Sequence, residues 1–380
     1  MIPWKGPAVA WHNLVKVKSR LIIAIAAIGF SVSLIFLQLC FLGALLKGAT
    51  SLYDNLQFDL VLVSPKTPEL LSLSSFPRRR LYQAERIASV ESIAPIYLTF
   101  RFWRNVENYR RRGILIIGIN PDRAIFQDPN LNEQLVTIRE QDTVLMSELS
   151  RDEYGPRSVG LETELGDRQT RITGLFTMSN SLRANGIVIT SIPNFLRYAQ
   201  NYSIEQINLG LIQLKTGTNP DAVVAELRDL LPKDVLVMNR SEAEIRDRQF
   251  WLRSTSLGLI VIVAVITAIV VGTVVVYQIL DADVSEHLSE YATLKAMGYS
   301  NRDLSGIVLK EGAILAVLGY LPGLLVGIAL YQAIYQATRL PIQLTSLEVI
   351  GVFLATLTMC STSALVALRK IFLADPADIF

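Results

Sequence analysis

The chain has 380 residues, 51% of them hydrophobic and only 18% charged, with a formal net charge of +2. This composition indicates a membrane protein and gives no sign of a nucleic-acid partner. Cys40 and Cys360 both lie in apolar runs and His12 and His287 are far apart, so neither a disulfide framework nor a metal site is expected.

In chain order, residues 1–20 carry Lys5, Lys16, Lys18 and Arg20 and no acid. Within AWHNLVKVKSR, Trp11, Leu14 and Val15 recur at helical spacing with basic residues between them. That pattern reads as a cytoplasmic amphipathic helix on the inner membrane surface, with Trp11, Lys16, Lys18 and Arg20 against membrane lipid. A basic flank that only sets topology is the plainer reading. Residues 21–46 form an uncharged apolar run, long enough to cross a bilayer and too long for a cleaved leader.

Residues 47–252 are predicted to be a folded domain outside the membrane. FDLVLVS (58–64), IYLTFRFW (96–103), GILIIGIN (113–120), INLGLIQLK (207–215) and DVLVMN (234–239) read as strands. RRRLYQAERIASV (78–90) and PDAVVAELRDLL (220–231) read as helices, the second capped by Asn219 with Pro220 at its first position. Residues 58–103 and 207–239 are therefore two strand–helix–strand units of a split βαβ kind. The first subdomain is expected from 47–120 and 206–252, with a β-rich insertion at 121–205. Glu162 and Glu164 share a strand face but have no partner motif, so they read as a solvated face rather than catalytic carboxylates. Arg78, Arg79 and Arg80 read as a solvated helix end, or as a contact for anionic lipid or a partner.

Three further apolar runs follow, at 253–280, 312–338 and 349–368, separated by a polar segment at 281–311 and an outer loop at 339–348, and followed by a tail at 369–380. With the basic N-terminal flank, both termini are expected in the cytoplasm and 47–252 on the opposite side. Apart from Arg253 at the outer edge of the second, the runs contain no charge, which argues against an ion-coupled pump. Gln38, Gln278, Gln332 and Gln336 read as helix–helix hydrogen-bond partners or interface residues. Gly319, Gly323 and Gly327 recur every fourth residue, with Pro322 among them to kink or loosen the helix, and Ala264, Ala268 and Gly272 line a similar face. These faces are expected to pack helices closely or to form the seam of a homodimer. No GxxxxGK[ST] loop occurs, so the sequence carries no phosphate loop of its own, and no motif assembles the acids of the outer domain into a catalytic constellation.

In 281–311, the second span is expected to continue as helix past Asp281. Val284, Leu288, Tyr291 and Leu294 form an apolar stripe on a surface that also bears Glu286, Glu290 and Lys295. Gly298 after Met297 suits a left-handed helix end, and Ser300 to Asp303 reads as a capping box opening the next helix. Such a helical hairpin either docks on a partner or rests on lipid or on its own chain.

EYATLKAMGYSNRDL resembles the signature after the second span of FtsX-like permeases, the MacB-type ABC exporter family. Its Glu290, Thr293, Leu294, Lys295, Ala296, Met297, Gly298 and Tyr299 match the acidic, Thr-Leu-basic-Ala, hydrophobic, Gly and Tyr pattern. AWHNLVKVKSR is similar to the family's Trp-x-Asn-Leu stretch, and DPADIF to its Asp-Pro-Ala ending at Asp375, Pro376 and Ala377. The resemblance implies four transmembrane helices with an α+β periplasmic domain in a bacterial inner membrane. It also implies that 286–304 couples to an ABC ATPase subunit holding ATP-Mg, with Glu286, Glu290 and Tyr291 among the coupling residues. The porter-like subdomain would be 47–120 and 206–252, and 121–205 the distal part meeting a membrane-fusion adaptor. With so short a segment before the first span, the ATPase is expected on a separate chain. The nearest pattern is DevC-type, implying DevA-type ATPase and DevB-type adaptor partners, a TolC-like outer-membrane duct and glycolipid cargo. A lipoprotein-releasing permease shares this topology, and an FtsX-like regulator of a periplasmic hydrolase is the non-transporting alternative.

Overall fold

The computed structural model describes residues 18–200, 202–338, 342 and 344–373. Trp11, Lys16 and the Asp375-Pro376-Ala377 ending lie outside the described residues. In chain order the elements are α1 (Lys18–Thr50), β1 (Leu60–Val63), β2 (Phe76–Pro77), α2 (Arg79–Ala84), β3 (Val90–Arg104), β4 (Arg111–Ile119), α3 (Pro129–Gln134), β5 (Thr143–Ser147), β6 (Glu162–Leu165), β7 (Arg168–Phe176), β8 (Ile187–Ser191), α4 (Ile192–Tyr198), β9 (Gln206–Ile207), β10 (Leu209–Leu214), α5 (Pro220–Leu230), β11 (Leu236–Asn239), α6 (Arg240–Gln249), α7 (Ser256–Glu286), α8 (Leu288–Ala296), α9 (Asn301–Thr338) and α10 (Ser346–Leu373). They form two compact units, one of helices and one built mainly from Ala44–Gly258.

Among the described residues, four helices are long and apolar enough to span a membrane: Leu21–Thr50, Ser256–Glu286, Asn301–Gln336 and Ser346–Leu368. The second begins later than its apolar run. Phe250–Ser254 form a π-helical turn, and Thr255 is extended before α7 starts. The Thr255 hydroxyl donates to the Trp251 carbonyl at 2.6 Å and accepts from the Gly258 amide at 3.2 Å, which caps the new helix. The third span carries Pro322 inside one continuous helix. The fourth opens with a capping box in which Thr345 and Glu348 exchange amide bonds at 2.8 and 3.3 Å.

Gly319, Gly323 and Gly327 of α9 face Ile28, Val32 and Phe36 of α1, so this glycine stripe is filled within the chain rather than left as a dimer seam. Ser33 Oγ donates to the Gly323 carbonyl at 3.4 Å across the same contact. Gly272 of α7 faces Ser31 and Met359, Ala268 is buried and Ala264 half-buried. Small residues thus let α1 approach two other spans closely.

The second unit contains a nine-stranded sheet ordered β11-β1-β10-β3-β4-β8-β5-β7-β6. The two strand–helix–strand units interleave as β11-β1-β10-β3, all antiparallel, the arrangement of a split βαβ sandwich. Leu60 and Leu62 enter one core and Val61 and Val63 the other, which is why LVLV is apolar without alternation. Leu81, Ala84, Val223, Val224 and Leu227 of α2 and α5 cover the first face. Asn219 caps α5 as expected, accepting from the Asp221 amide at 3.0 Å.

The expected boundary at residue 120 is corrected. β3 is 15 residues long. Its first part pairs with β10, and from Tyr97 onward it pairs with β4. The subdomains therefore meet in the middle of one strand, and β4 belongs with the β-rich half. Asn208 bridges the handover: its amide donates to the Ile96 carbonyl at 3.0 Å and its Oδ1 accepts from the Leu98 amide at 2.7 Å. Arg80 also departs from expectation. It is 9% exposed and grips Asp234 through Nε and Nη2 at 2.7–3.1 Å, tying α2 to the turn before β11 rather than facing solvent. On β6, Glu162 is exposed and Glu164 pairs with Arg104 and Arg111, the bonding of a solvated strand face.

Candidate functional site: the hairpin between the second and third spans

α7 continues through Asp281 to Glu286, where the expected hairpin begins. Tyr277 donates to Asp281 Oδ1 at 3.3 Å, and Ser285 Oγ donates to the Asp281 carbonyl at 2.6 Å. The helix breaks at His287, whose φ and ψ are −92° and 15°. His287 is 7% exposed, and its Nδ1 lies 3.2 Å from Glu290 Oε2 one turn on. This polar pair joins the break to α8.

α8 ends where the sequence says it should. The Met297 and Gly298 amides donate to the Thr293 and Lys295 carbonyls, each at 3.0 Å. Gly298 then takes φ +94°, with nothing within 4 Å of where a Cβ would stand. The left-handed conformation alone explains the glycine there. Ser300 accepts the Asp303 amide at 3.3 Å, and its own amide donates to Asp303 Oδ2 at 3.0 Å. The capping box that opens α9 is therefore present, with Asp in the acidic position. Two caps and one left-handed residue set the chain reversal without a flexible linker.

Val284 and Tyr291 of the apolar stripe do not face outward. Val284 is 0% exposed, Tyr291 3%, and Leu288 is half-buried. The Tyr291 hydroxyl reaches Glu311 Oε2 at 3.5 Å, and Glu311, Leu304 and Val308 of α9 are fully buried. The contact of Tyr291 with Glu311 thus ties the two arms of the hairpin together. Side chains left outside are Ser285, Glu286, Ser289, Glu290, Thr293 and Met297, the last 64% exposed. Thr293 Oγ1 returns to the Ser289 carbonyl at 2.8 Å. Lys295 and Tyr299 are half-buried, and Leu294 and Ala296 lie in α8. α8 also packs against α10, which braces the hairpin from the side.

His287 and Glu311 complete this arrangement and were not singled out by the sequence pattern. Glu311 marks only the edge of an apolar run, and its partner Tyr291 lies 20 positions earlier, a separation with no periodic signature. Lys18 and Arg20, expected on the inner-surface helix, fall in the first turn of α1. Among the described residues no group of three or more His, Cys, Asp and Glu side chains is arranged to hold a metal ion. What the site offers is a stiff, polar protrusion at the end of two long helices, with its inner face locked.

Residues 261–376, which contain this hairpin, match the family described as FtsX-like permease C-terminal. Residues 21–230 match the MacB-like periplasmic core domain. No curated protein matches the sequence. Among solved structures, the periplasmic region of MacB from Actinobacillus actinomycetemcomitans is 10% identical, covering 51% of this chain and 94% of that one with a TM-score of 0.36. The extracellular domain of the ABC-type transporter YknZ from Gram-positive bacteria is 12% identical, covering 48% of this chain and all of its own (100%) with a TM-score of 0.34.

Proposed function

Because the chain belongs to the family of FtsX-like permeases with a MacB-like periplasmic core domain, we propose that it is the membrane subunit of an ATP-driven exporter and that the 281–311 hairpin receives the stroke of an ATPase. The observation that carries this reading is the division of the hairpin into a locked inner face, Val284, Tyr291 and Glu311, and an exposed outer face, Glu286, Glu290, Thr293 and Met297. A protrusion built this way passes on a push instead of absorbing it.

In this reading the hairpin and both termini lie in the cytoplasm and the sheet domain lies in the periplasm. In it, ATP-Mg is held and hydrolysed by a separate ABC subunit; these 380 residues contain no phosphate loop. Two copies of the permease work with two ATPase subunits, and the sheet domain meets a membrane-fusion adaptor leading to a TolC-like duct. Within that family the reading takes a DevC-type system, with DevA-type and DevB-type partners and a glycolipid cargo. Gentle detergent purification from native membranes tests this reading. A co-purifying ATPase whose hydrolysis rises with glycolipid supports it; a chain that purifies without any ATPase overturns it.

A further inference from the structure

Where the sheet domain meets the chain leading into α7, two carboxylates are buried together. Glu69 is 2% exposed and Asp247 3%. Glu69 belongs to the loop of residues 64–75, and Asp247 to α6. Asp247 Oδ2 accepts the Tyr53 hydroxyl at 2.9 Å and the Leu70 amide at 3.1 Å. It thereby fastens the loop to α6 and to the segment that follows α1. Glu69 Oε2 accepts the Leu71 amide at 3.1 Å, and its Oε1 lies 2.5 Å from Arg183 Nε without an aligned hydrogen bond. Thr67 Oγ1, in the same loop, is buried with no partner. Arg246 donates to the Thr67 carbonyl. The Arg183 guanidinium stands 6.0 Å from the Trp251 ring centre, and Trp251 packs with Leu45 and Ala49 at the end of α1.

The two acids are treated differently. Glu69 has a guanidinium at contact distance. Asp247 has only neutral donors and no ion pair among the described residues. An ionised carboxylate buried without a touching cation is strongly disfavoured, and such a group takes up a proton. The other charged or titratable groups that act here are Tyr53, Glu244, Arg246 and Arg240, whose Nη2 holds the Tyr53 carbonyl at 2.6 Å. We propose that Asp247 is a proton-binding site of the folded domain, and that its proton holds residues 64–75 against α6, so that this latch tightens as the pH falls.

Burial, the dominant cause, pushes the Asp247 carboxyl up to about 7, with the Glu69 charge adding to it and the Leu70 and Tyr53 bonds and Arg246 opposing it. When the loop opens, the carboxyl returns to its ordinary value near 4. A raised folded value makes the latch strongest in acid, weaker as the pH climbs from about 4 to about 7, and constant above that.

Segment-resolved hydrogen exchange of the full-length protein in detergent, corrected for intrinsic rates, tests the proposal without ATPase or cargo. In the parent, exchange of residues 64–75 should speed up at least tenfold between pH 5 and pH 7, about one pH unit of linkage or more, and level off above. Asp247→Asn should abolish that dependence. Tyr53→Phe removes a donor to the charged form, so the levelling point should move up by roughly half to one pH unit. Glu69→Gln removes a like charge and should move it down by a similar amount. A flat parent profile, an unchanged slope in Asp247→Asn, or levelling points that stay put in the other two variants would overturn the assignment. If Asp247→Asn does not fold, the opposed shifts of Tyr53→Phe and Glu69→Gln decide the matter.

Discussion

A Cβ placed on Gly323 would lie 2.6 Å from the Cβ of Val32, closer than two carbon atoms can pack. The first and third spans approach closely at this point, and one turn to either side Gly319 and Gly327 take the side chains of Ile28 and Phe36 in the same way. Gly323→Leu should therefore split α1 from α9 and cost on the order of 3 kcal/mol in overpacking. Thermal aggregation of detergent-purified protein checks this. Gly351→Ala, at a position with nothing within 4 Å, should leave the midpoint unchanged.

Reversing the outer charge of the hairpin should uncouple the permease while leaving it folded. Glu290 is half-exposed, with 52% of its side chain open to solvent, and its bond to His287 spans only one turn. Glu290→Lys should insert and purify normally, yet lower the stimulation of a co-purified ATPase by about tenfold or more, as expected for reversal of a charge in a docking face. Retention of full stimulation would remove Glu290 from the coupling surface.

At Gly298 the cost of substitution is one of backbone alone, because φ is +94° and no atom stands near the missing Cβ. Gly298→Ala should destabilise the hairpin by about 1–2 kcal/mol, whereas Gly298→Asn should cost less. Hydrogen exchange in α8 reads both; equal exchange in all three proteins would mean that the turn tolerates another conformation.

α6 depends on its cap. Asn239 accepts the Glu242 amide at 2.7 Å, the Glu242 carboxylate returns to the Asn239 amide at 3.3 Å, and Asn239 Nδ2 donates to Asp221 at 2.7 Å. Asn239→Ala should lower stability by about 1 kcal/mol, visible as a reduced unfolding midpoint. Asn239→Ser should recover most of it.

Asp142 supplies an acid-side pH dependence opposite in sign to that of Asp247. Two bonds from Arg197, at 2.9 and 2.8 Å, hold its carboxyl below the usual aspartate range. A depressed folded value gives stabilisation that is present above about pH 4 and lost as the pH drops further. Asp142→Asn should flatten the fall in unfolding midpoint below pH 4, and a parallel fall in both proteins would show that other carboxylates dominate.

Much of this protein is legible in its sequence where the determining forces are local or periodic. The apolar runs announce four spans because a bilayer demands length and apolarity and little else. Gly298, the Ser300–Asp303 box and the Asn219 cap are readable because a left-handed residue or an orphan amide is satisfied by a side chain a few positions away. The two strand–helix–strand units are legible in the patterning of their apolar residues.

Partnership across distance is not written in spacing. Only the folded chain shows that the glycine stripe of α9 is consumed by α1, and that Tyr291 of the hairpin's apolar stripe turns inward onto Glu311. Only the fold shows that β3 serves both halves of the sheet, or that Arg80 finds Asp234 and Tyr53 finds Asp247. These pairings rest on which surfaces the chain's turns bring together. Burial then decides them, because a close-packed interior leaves each buried polar group few partners and each buried surface one neighbour.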